Sequence, residues 1–123
     1  MKKTSRHSLP AISEEMKAWS AALEAELIEW PRVSGRAMFG FNALYHGKRI
    51  FAVLPRTRGV GNSNSLAFKL EGAGPRVLAR LIKDPRVKST MMQARRWFAF
   101  ELSSDRDLKD ALDWLGRAYE AAR

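Results

Sequence analysis

The sequence contains no cysteine and only two histidines among its 123 residues. Without cysteine the chain cannot form a disulfide, a thiolate nucleophile or a cysteine-ligated zinc site. Histidine chemistry is limited to His7 and His46, and no Gly-x-Ser-x-Gly elbow accompanies them. We therefore expect a protein that is not an enzyme and that has no catalytic residues, metal or cofactor.

The sequence also lacks a long apolar run. Lys2, Lys3 and Arg6 begin the chain, but no apolar segment follows them, so neither a signal peptide nor a membrane span is predicted. We expect a cytoplasmic protein that does not bind membranes. Its length suits one domain, which we place at residues 13–123 after a basic N-terminal tail at 1–12.

Acidic residues are missing from the middle of the chain. No Asp or Glu occurs between Arg32 and Lys69, and residues 31–96 hold 14 basic and 2 acidic side chains, a local charge of +12 against +9 for the whole chain. Such a field attracts phosphate backbones, acidic proteins or anionic lipid surfaces. The alternative is that the charge only keeps a small domain in solution.

The first element predicted is a helix at about 14–29. Ser13 suits the N-cap position, and two glutamates follow it in the first turn. Apolar residues then recur at three- and four-residue steps, and Pro31 disfavours helical geometry at the residue before it. The apolar stripe consists of Met16, Trp19, Leu23 and Leu27.

Short strands with glycine turns are predicted next. A strand near 37–45 and another near 48–54 meet at His46-Gly47, where glycine tolerates a positive φ. Alternation in the second strand places Ile50, Ala52 and Leu54 on one face and Phe51 and Val53 on the other. A further strand carries Leu66, Phe68 and Leu70, so the segment reads as an antiparallel sheet.

The last third of the chain predicts helix, strand, helix. Pro75 begins a short helix that must end before Pro85, and Arg96–Leu102 alternates as a strand. Ser104 with Asp107 resembles a capping box for the C-terminal helix. The fold class predicted is α+β, with a single antiparallel β-sheet meander packed against N- and C-terminal helices.

Two motifs have weak chemical interpretations. Gly59-Val60-Gly61 lacks the third glycine and the Gly-Lys-Ser/Thr of nucleotide-binding loops, and a strand rather than a helix follows it, so a mobile hairpin loop is the better interpretation. Arg56 and Arg58 beside it could clamp phosphates. His46 lies in the predicted turn without a nearby carboxylate in sequence, and we interpret it as solvated.

The aromatic residues are predicted to be mostly core. Five phenylalanines at strand spacing fit the space between sheet and helices: Phe39, Phe41, Phe68, Phe98 and Phe100. Phe51 and Trp97 are left open, because exposure among cations would let them stack on bases or form a dimer contact, whereas a covering helix would bury them.

The motif Arg36-Ala37-Met38-Phe39-Gly40, with Trp30-Pro31-x-Val33 before it and a Leu44-Tyr45 strand and Gly47-Lys48 turn after it, resembles the TfoX/Sxy N-terminal domain of the YjbR-related group. The back half, with its Trp-bearing strand and final helix, is also similar to the bacterial luciferase-associated domain. The resemblance implies a small α+β fold and a regulatory or nucleic-acid-binding role.

Two functional hypotheses follow. In the first, the basic segment binds nucleic acid, DNA above all, through contacts to phosphates that are not specific for sequence, and Trp97 stacks on a base. The candidate residues are Arg36, Arg49, Arg56, Arg58, Lys69, Arg95, Arg96 and Trp97. In the second, the domain binds a protein, such as an acidic partner or a second copy of itself, through a sheet face or edge.

Overall fold

The structure is a computed structural model, and it describes residues 11–60, 62–89 and 96–123. Helices and strands follow one another in these ranges in the order α, four strands, α, two strands, α. Their bounds are α1 Glu14–Leu27, β1 Val33–Met38, β2 Phe41–His46, β3 Arg49–Pro55, β4 Ser65–Lys69, α2 Pro75–Lys83, β5 Val87–Ser89, β6 Trp97–Glu101 and α3 Asp107–Ala121.

The six strands form one sheet in the order β1-β2-β3-β4-β6-β5, and every neighbouring pair is antiparallel. The first four strands make the predicted meander. The chain then crosses over through α2 to β5, and β6 fills the gap between β4 and β5. The predicted α+β class is therefore confirmed, whereas the three-residue strand β5 was not predicted.

The helices share one core with one face of the sheet. Phe68 of β4 stacks on Trp114 of α3 at a ring-centroid distance of 5.9 Å, and the Asn42 amide of β2 donates to the Glu24 carboxylate of α1 at 2.8 Å. Leu81 of α2 belongs to the same buried cluster. On the opposite face, the register places small residues that lie outside this cluster: Ala43, Ala67 and Ala99.

The N-terminal helix begins as predicted. The Ser13 hydroxyl accepts the Met16 N–H at 3.0 Å and donates to the Asn64 side chain at 3.1 Å, so it caps the helix and ties it to the loop before β4. Ile12 is buried and Ala11 forms an isolated β-bridge with Arg58. The packed part of the chain therefore includes two residues that were assigned to the tail.

Two strand predictions were wrong in detail. The strand expected at 37–45 is two strands, because the chain reverses at Phe39-Gly40. In β3 the pairing with β2 shifts register, so that Tyr45 pairs with Ile50 while Leu44 pairs with Ala52. Phe51 lies between Ile50 and Ala52 at this shift, so the alternation of side chains between the two faces of the sheet fails there. Its side chain is fully buried on the helix side.

The helix boundaries show smaller differences. α2 begins at Pro75 as predicted, and its residue Ile82 is 81% exposed. α3 begins at Asp107 rather than at Ser104. The Asp107 carboxylate nevertheless accepts the N–H groups of Ser103 and Ser104 at 2.7 and 3.2 Å, so half of the expected capping box is present.

An ion-pair network joins the start of β5 to α3. The Arg86 guanidinium lies 2.9 Å from carboxylate oxygens of Asp84, Asp107 and Asp110, and it stacks over the Phe100 ring at 4.9 Å. The Arg86 hydrogen bonds hold the pKa of Asp84 below its usual value. For Asp107, burial opposes ionisation, but the Ser103 N–H and Arg86 outweigh it and lower the pKa.

We predict that acid weakens the fold through Asp84 and Asp107. Because their pKa values are lower in the folded chain, their stabilisation is complete above the ordinary Asp value of about 3.9 and disappears as the pH falls through the lowered values. Arg86→Gln should weaken this dependence, chiefly through Asp84, and lower the free energy of unfolding at pH 7 by about 2 kcal/mol. Urea denaturation between pH 6 and pH 2 measures both effects.

The matched control is Lys17→Gln, which removes an exposed ion pair of 3.0 Å with Glu14 within α1. Exposed pairs of this kind contribute about 0.5 kcal/mol or less, so this variant should keep the wild-type pH profile. An unchanged profile in Arg86→Gln would show that the network does not carry the acid sensitivity.

Candidate nucleic-acid interface

The sheet separates the cationic residues predicted to bind nucleic acid. Arg49 begins β3 and Lys69 ends β4, and antiparallel pairing puts both at one end of the sheet. Arg56 and Arg58 follow β3 at the other end, seven or more residues from Arg49, which corresponds to about 23 Å along a strand. The structure therefore does not bring the candidates together into one site.

The end of the sheet that holds Arg49 and Lys69, which we call the β3-start end, contains cations whose charge is partly compensated. Lys48, Arg49 and Lys69 line a small recess with Glu71 and with Ala122, which follows the C-terminal end of α3. The Lys69 ammonium lies 3.4 Å from the Glu71 carboxylate. A helix C-terminus carries partial negative charge, so these cations offset local negative charge, and this end attracts a phosphate less strongly than its number of cations suggests.

Arg96 and Trp97 also lie at the β3-start end. Arg96 has a φ of 67°, and its carbonyl accepts the Leu70 N–H at 2.9 Å. Trp97 is half-buried and pairs with Lys69 in the ladder between β4 and β6. Arg95 lies outside the described residues. The stacking role predicted for Trp97 therefore depends on a side chain that is only partly accessible.

His46 packs against α3 and is not a solvated turn residue as predicted. Its ring stacks on Tyr119 at a centroid distance of 4.1 Å, and its Nδ1 lies 2.8 Å from the Tyr119 carbonyl oxygen. Because that oxygen can only accept, Nδ1 donates. The Tyr119 ring also meets Phe51 edge-on at 5.7 Å. His46 and Phe51 thus help to attach the end of α3 to the sheet.

The described residues of the glycine loop are held by hydrogen bonds to one another and to Ser65. The Asn62 side-chain oxygen accepts the Asn64 N–H at 2.9 Å and the Ser65 hydroxyl at 2.8 Å, and the Val60 N–H donates to the Ser65 carbonyl at 3.1 Å. Gly59 is buried, and a Cβ added to it would collide with the Asn62 backbone. Gly61 lies outside the described residues.

An open groove of about 910 Å³ lies between α2, α3 and the segment after α1. Its lining combines apolar and aromatic side chains with three carboxylates and one arginine; the residues that define its character are Trp30, Val77, Tyr119, Glu71, Asp113, Glu120 and Arg117. Carboxylates repel a polyanion. The groove is therefore a poor place for nucleic acid to bind, although it is larger than the recess at the β3-start end.

The opposite end of the sheet is organised around the turn between β1 and β2. This two-residue turn consists of Phe39 and Gly40, whose φ values of 51° and 85° are both positive, the pattern of a type I′ turn. The Gly40 carbonyl accepts three backbone N–H groups, those of Arg56, Thr57 and Arg58, at 3.0, 2.9 and 3.3 Å. One oxygen thereby fixes the chain after β3 against the turn.

Side chains as well as backbone meet at this turn. A Cβ on Gly40 would lie 2.8 Å from Arg58 Cγ and 2.8 Å from Thr57 Oγ1, so the Arg58 stem occupies the space that the glycine leaves. The Thr57 carbonyl accepts the Ile12 N–H at 3.3 Å, which braces the loop from its other side. Arg56 and Arg58 are both exposed.

Phe39 is 87% exposed at the tip of this turn. The prediction that it belongs to the core was wrong, because the reversal at Phe39-Gly40 carries it out of the sheet. We call Phe39, Arg56 and Arg58 the hairpin-tip cluster. Sequence reasoning missed its aromatic member because type I′ turns favour Asn-Gly, and only the glycine of that signal is present.

Arg36 extends the basic surface along β1 toward the tip. Its guanidinium lies 5.9 Å from the centre of the Tyr45 ring, and it pairs with Ala43, which places it on the face opposite the helices. Arg36 is exposed and lies three residues before Phe39, about 10 Å along the strand. Arg36, which is one of the predicted site residues, therefore adds a third cation along β1 from the hairpin-tip cluster.

Two further observations concern the described residues alone. Within 11–60, 62–89 and 96–123, no three His, Asp or Glu side chains are grouped so that they could hold a metal ion. In the same ranges, no helix has the length and apolar character needed to cross a membrane.

Comparisons with protein-family models, with curated proteins and with solved structures each return no match. The resemblance to the TfoX and YjbR group therefore remains a prediction from its motifs.

We predict that Gly40→Ala destabilises the protein more than Gly72→Ala. Both glycines have positive φ, 85° and 63°, but a Cβ at Gly72 would meet nothing within 4 Å. Gly72→Ala should therefore cost only the left-handed backbone, about 1–2 kcal/mol, and Gly40→Ala about 1–3 kcal/mol more from the collision with Arg58 and Thr57. Urea denaturation gives both values, and equal losses would disprove the close contact at Gly40.

Proposed function

We propose that this protein binds nucleic acid through the hairpin-tip cluster, with Arg36 extending the contact along β1. The proposal depends on one observation: hydrogen bonds from their backbone N–H groups to the Gly40 carbonyl hold two exposed arginines beside the turn that carries an exposed aromatic ring. Cations that contact phosphates supply affinity and orientation, whereas aromatic rings contact bases. The cluster combines both kinds of group.

The composition of the segment that contains the cluster supports this assignment. All of its residues come from the stretch between Arg32 and Lys69, which contains no acidic residue. Its backbone is fixed by the Gly40 carbonyl and by the Ile12 N–H, so little backbone freedom is lost when the arginines meet a ligand. The β3-start end and the open groove are weaker alternatives because both contain carboxylates.

The proposed binding is not specific for sequence. Three arginines that contact phosphates can release about three counterions, so the logarithm of affinity should fall with the logarithm of salt concentration with a slope of about −2 to −3. DNA and RNA both carry the phosphates that this contact requires. The domain would then act by attaching to a nucleic acid without modifying it.

A second candidate function is protein binding by strand addition at β1. This strand is an edge of the sheet, and Ser34, Gly35, Arg36 and Ala37 are exposed in succession. An edge strand can pair with an extended segment of another chain. The charge of +9 favours an acidic protein over a second copy, and a dimer in light scattering would indicate self-pairing instead.

We predict that Arg56→Glu with Arg58→Glu weakens binding to every oligonucleotide sequence alike. Removing two phosphate contacts should shift the salt slope toward zero by about 2 and lower affinity at least about tenfold at low salt. Fluorescence anisotropy of labelled oligonucleotides at several salt concentrations measures this, with heparin as a competing polyanion.

The matched control is Arg76→Glu with Lys83→Glu, which changes the net charge equally at two exposed positions of α2. If binding depended only on net charge, both double variants would lose affinity by the same factor. Equal losses, or wild-type binding by the Arg56 and Arg58 variant, would refute the proposed site.

A further inference from the structure

Phe39 is an unfavourable residue for its position in two independent respects. A side chain with a Cβ is strained at positive φ, and type I′ turns favour Asn, Asp or Gly at this place. In addition, 87% of its surface is exposed, so its ring gains little from burial. Strained backbone at an exposed site is the kind of outlier from which a function can be inferred.

The surroundings of the ring limit what it can contact. Arg56, Thr57 and Arg58 are fixed beside the turn by the Gly40 carbonyl, and all three are exposed. A ligand that covers the Phe39 ring and also meets these arginines has to present a flat apolar face together with groups that attract guanidinium. A nucleotide has both, because every base has a π-face and every nucleotide carries a phosphate.

We propose that Phe39 stacks on an unpaired base of a single-stranded nucleic acid while Arg56 and Arg58 contact the adjacent phosphates. This inference rests on the nucleic-acid binding proposed above and specifies the form that is bound. In a duplex the faces of the bases are already stacked, and a side chain must separate two base pairs to reach them. A single strand offers its bases without that separation.

A lipid surface is the less suitable occupant. One exposed ring gives a small apolar area, and its neighbours at the tip are two arginines and a threonine. Stable attachment to a membrane takes a larger apolar face or a second signal. The other strongly exposed large apolar residue among those described, Ile82, belongs to α2 and not to the tip.

The test is Phe39→Asn, assayed with single-stranded and duplex oligonucleotides of equal length. Asn suits the turn, so the variant should be at least as stable to urea as the wild type while losing the ring. Affinity for the single strand should fall about 5- to 150-fold, the equivalent of about 1–3 kcal/mol for one stacked base. Affinity for the duplex, which depends on the phosphate contacts, should change less than about twofold.

Three further variants separate stacking from other causes. Phe39→Trp should keep single-strand binding, whereas Phe39→Leu, which remains apolar but has no ring, should lose most of it. Ile82→Asn removes an equally exposed apolar side chain from α2 and should bind as the wild type does. A single strand carrying the fluorescent base 2-aminopurine should be quenched by the wild type and less by Phe39→Leu.

The outcomes distinguish this inference from the function on which it rests. If Phe39→Asn and Phe39→Leu bind single strands as the wild type does while the Arg56 and Arg58 reversal does not, stacking is refuted and nucleic-acid binding stands. If neither change affects binding, both proposals fail. Phe39-dependent binding to vesicles of phosphatidylcholine and phosphatidylserine, without oligonucleotide binding, would overturn both in favour of a lipid surface.

Discussion

The packing of all three helices on one face of the sheet is the constraint on which the rest of the molecule depends. Phe68 on Trp114, together with the buried stripe of α1, fills that face with apolar side chains. Charged groups cannot enter such a core without partners, so cations of the strands and their connections, such as Arg36, Arg49 and Arg56, lie at the ends, the edges or the helix-free face of the sheet. The positions available for a ligand follow from this exclusion.

The hairpin-tip cluster is positioned by main-chain bonds. The Gly40 carbonyl holds the three residues after β3, and the Ile12 N–H holds the same loop from the N-terminal side. Arg56 and Arg58 are exposed on a backbone that these hydrogen bonds fix. The loop after β3 is therefore held both to the turn between β1 and β2 and to the segment before α1.

The elements that the sequence predicted correctly are those set by local chemistry. The stripe from Met16 to Leu27 has helical spacing, Pro75 fits the first turn of a helix, and Gly47 at a φ of 64° permits the turn between β2 and β3. Phe51 could not be placed in this way, because its burial follows from a register shift that depends on pairing between two strands. The prediction for Phe39 was wrong for a related reason: an apolar residue before glycine is interpreted as part of a strand until the reversal of the chain is known.

The candidate site was predicted as a set of residues whose arrangement in space was unknown. Charge counting found Arg56 and Arg58, but it grouped them with Arg49 and Lys69, which β3 and β4 hold at the far end of the sheet. A count along the sequence contains no information on strand direction, so it could not separate the two ends. It also could not show that the Glu71 carboxylate lies against the Lys69 ammonium and compensates its charge.

The edge strand β1 also affects how one copy of the protein meets another in solution. Two copies that paired edge to edge in antiparallel fashion around its centre would bring their Arg36 side chains close together, so like charge keeps the open backbone groups of this edge from joining. Salt at about 0.1 M shortens the range of that repulsion to about 10 Å. Higher ionic strength therefore weakens the repulsion between the Arg36 side chains that opposes self-association at this edge.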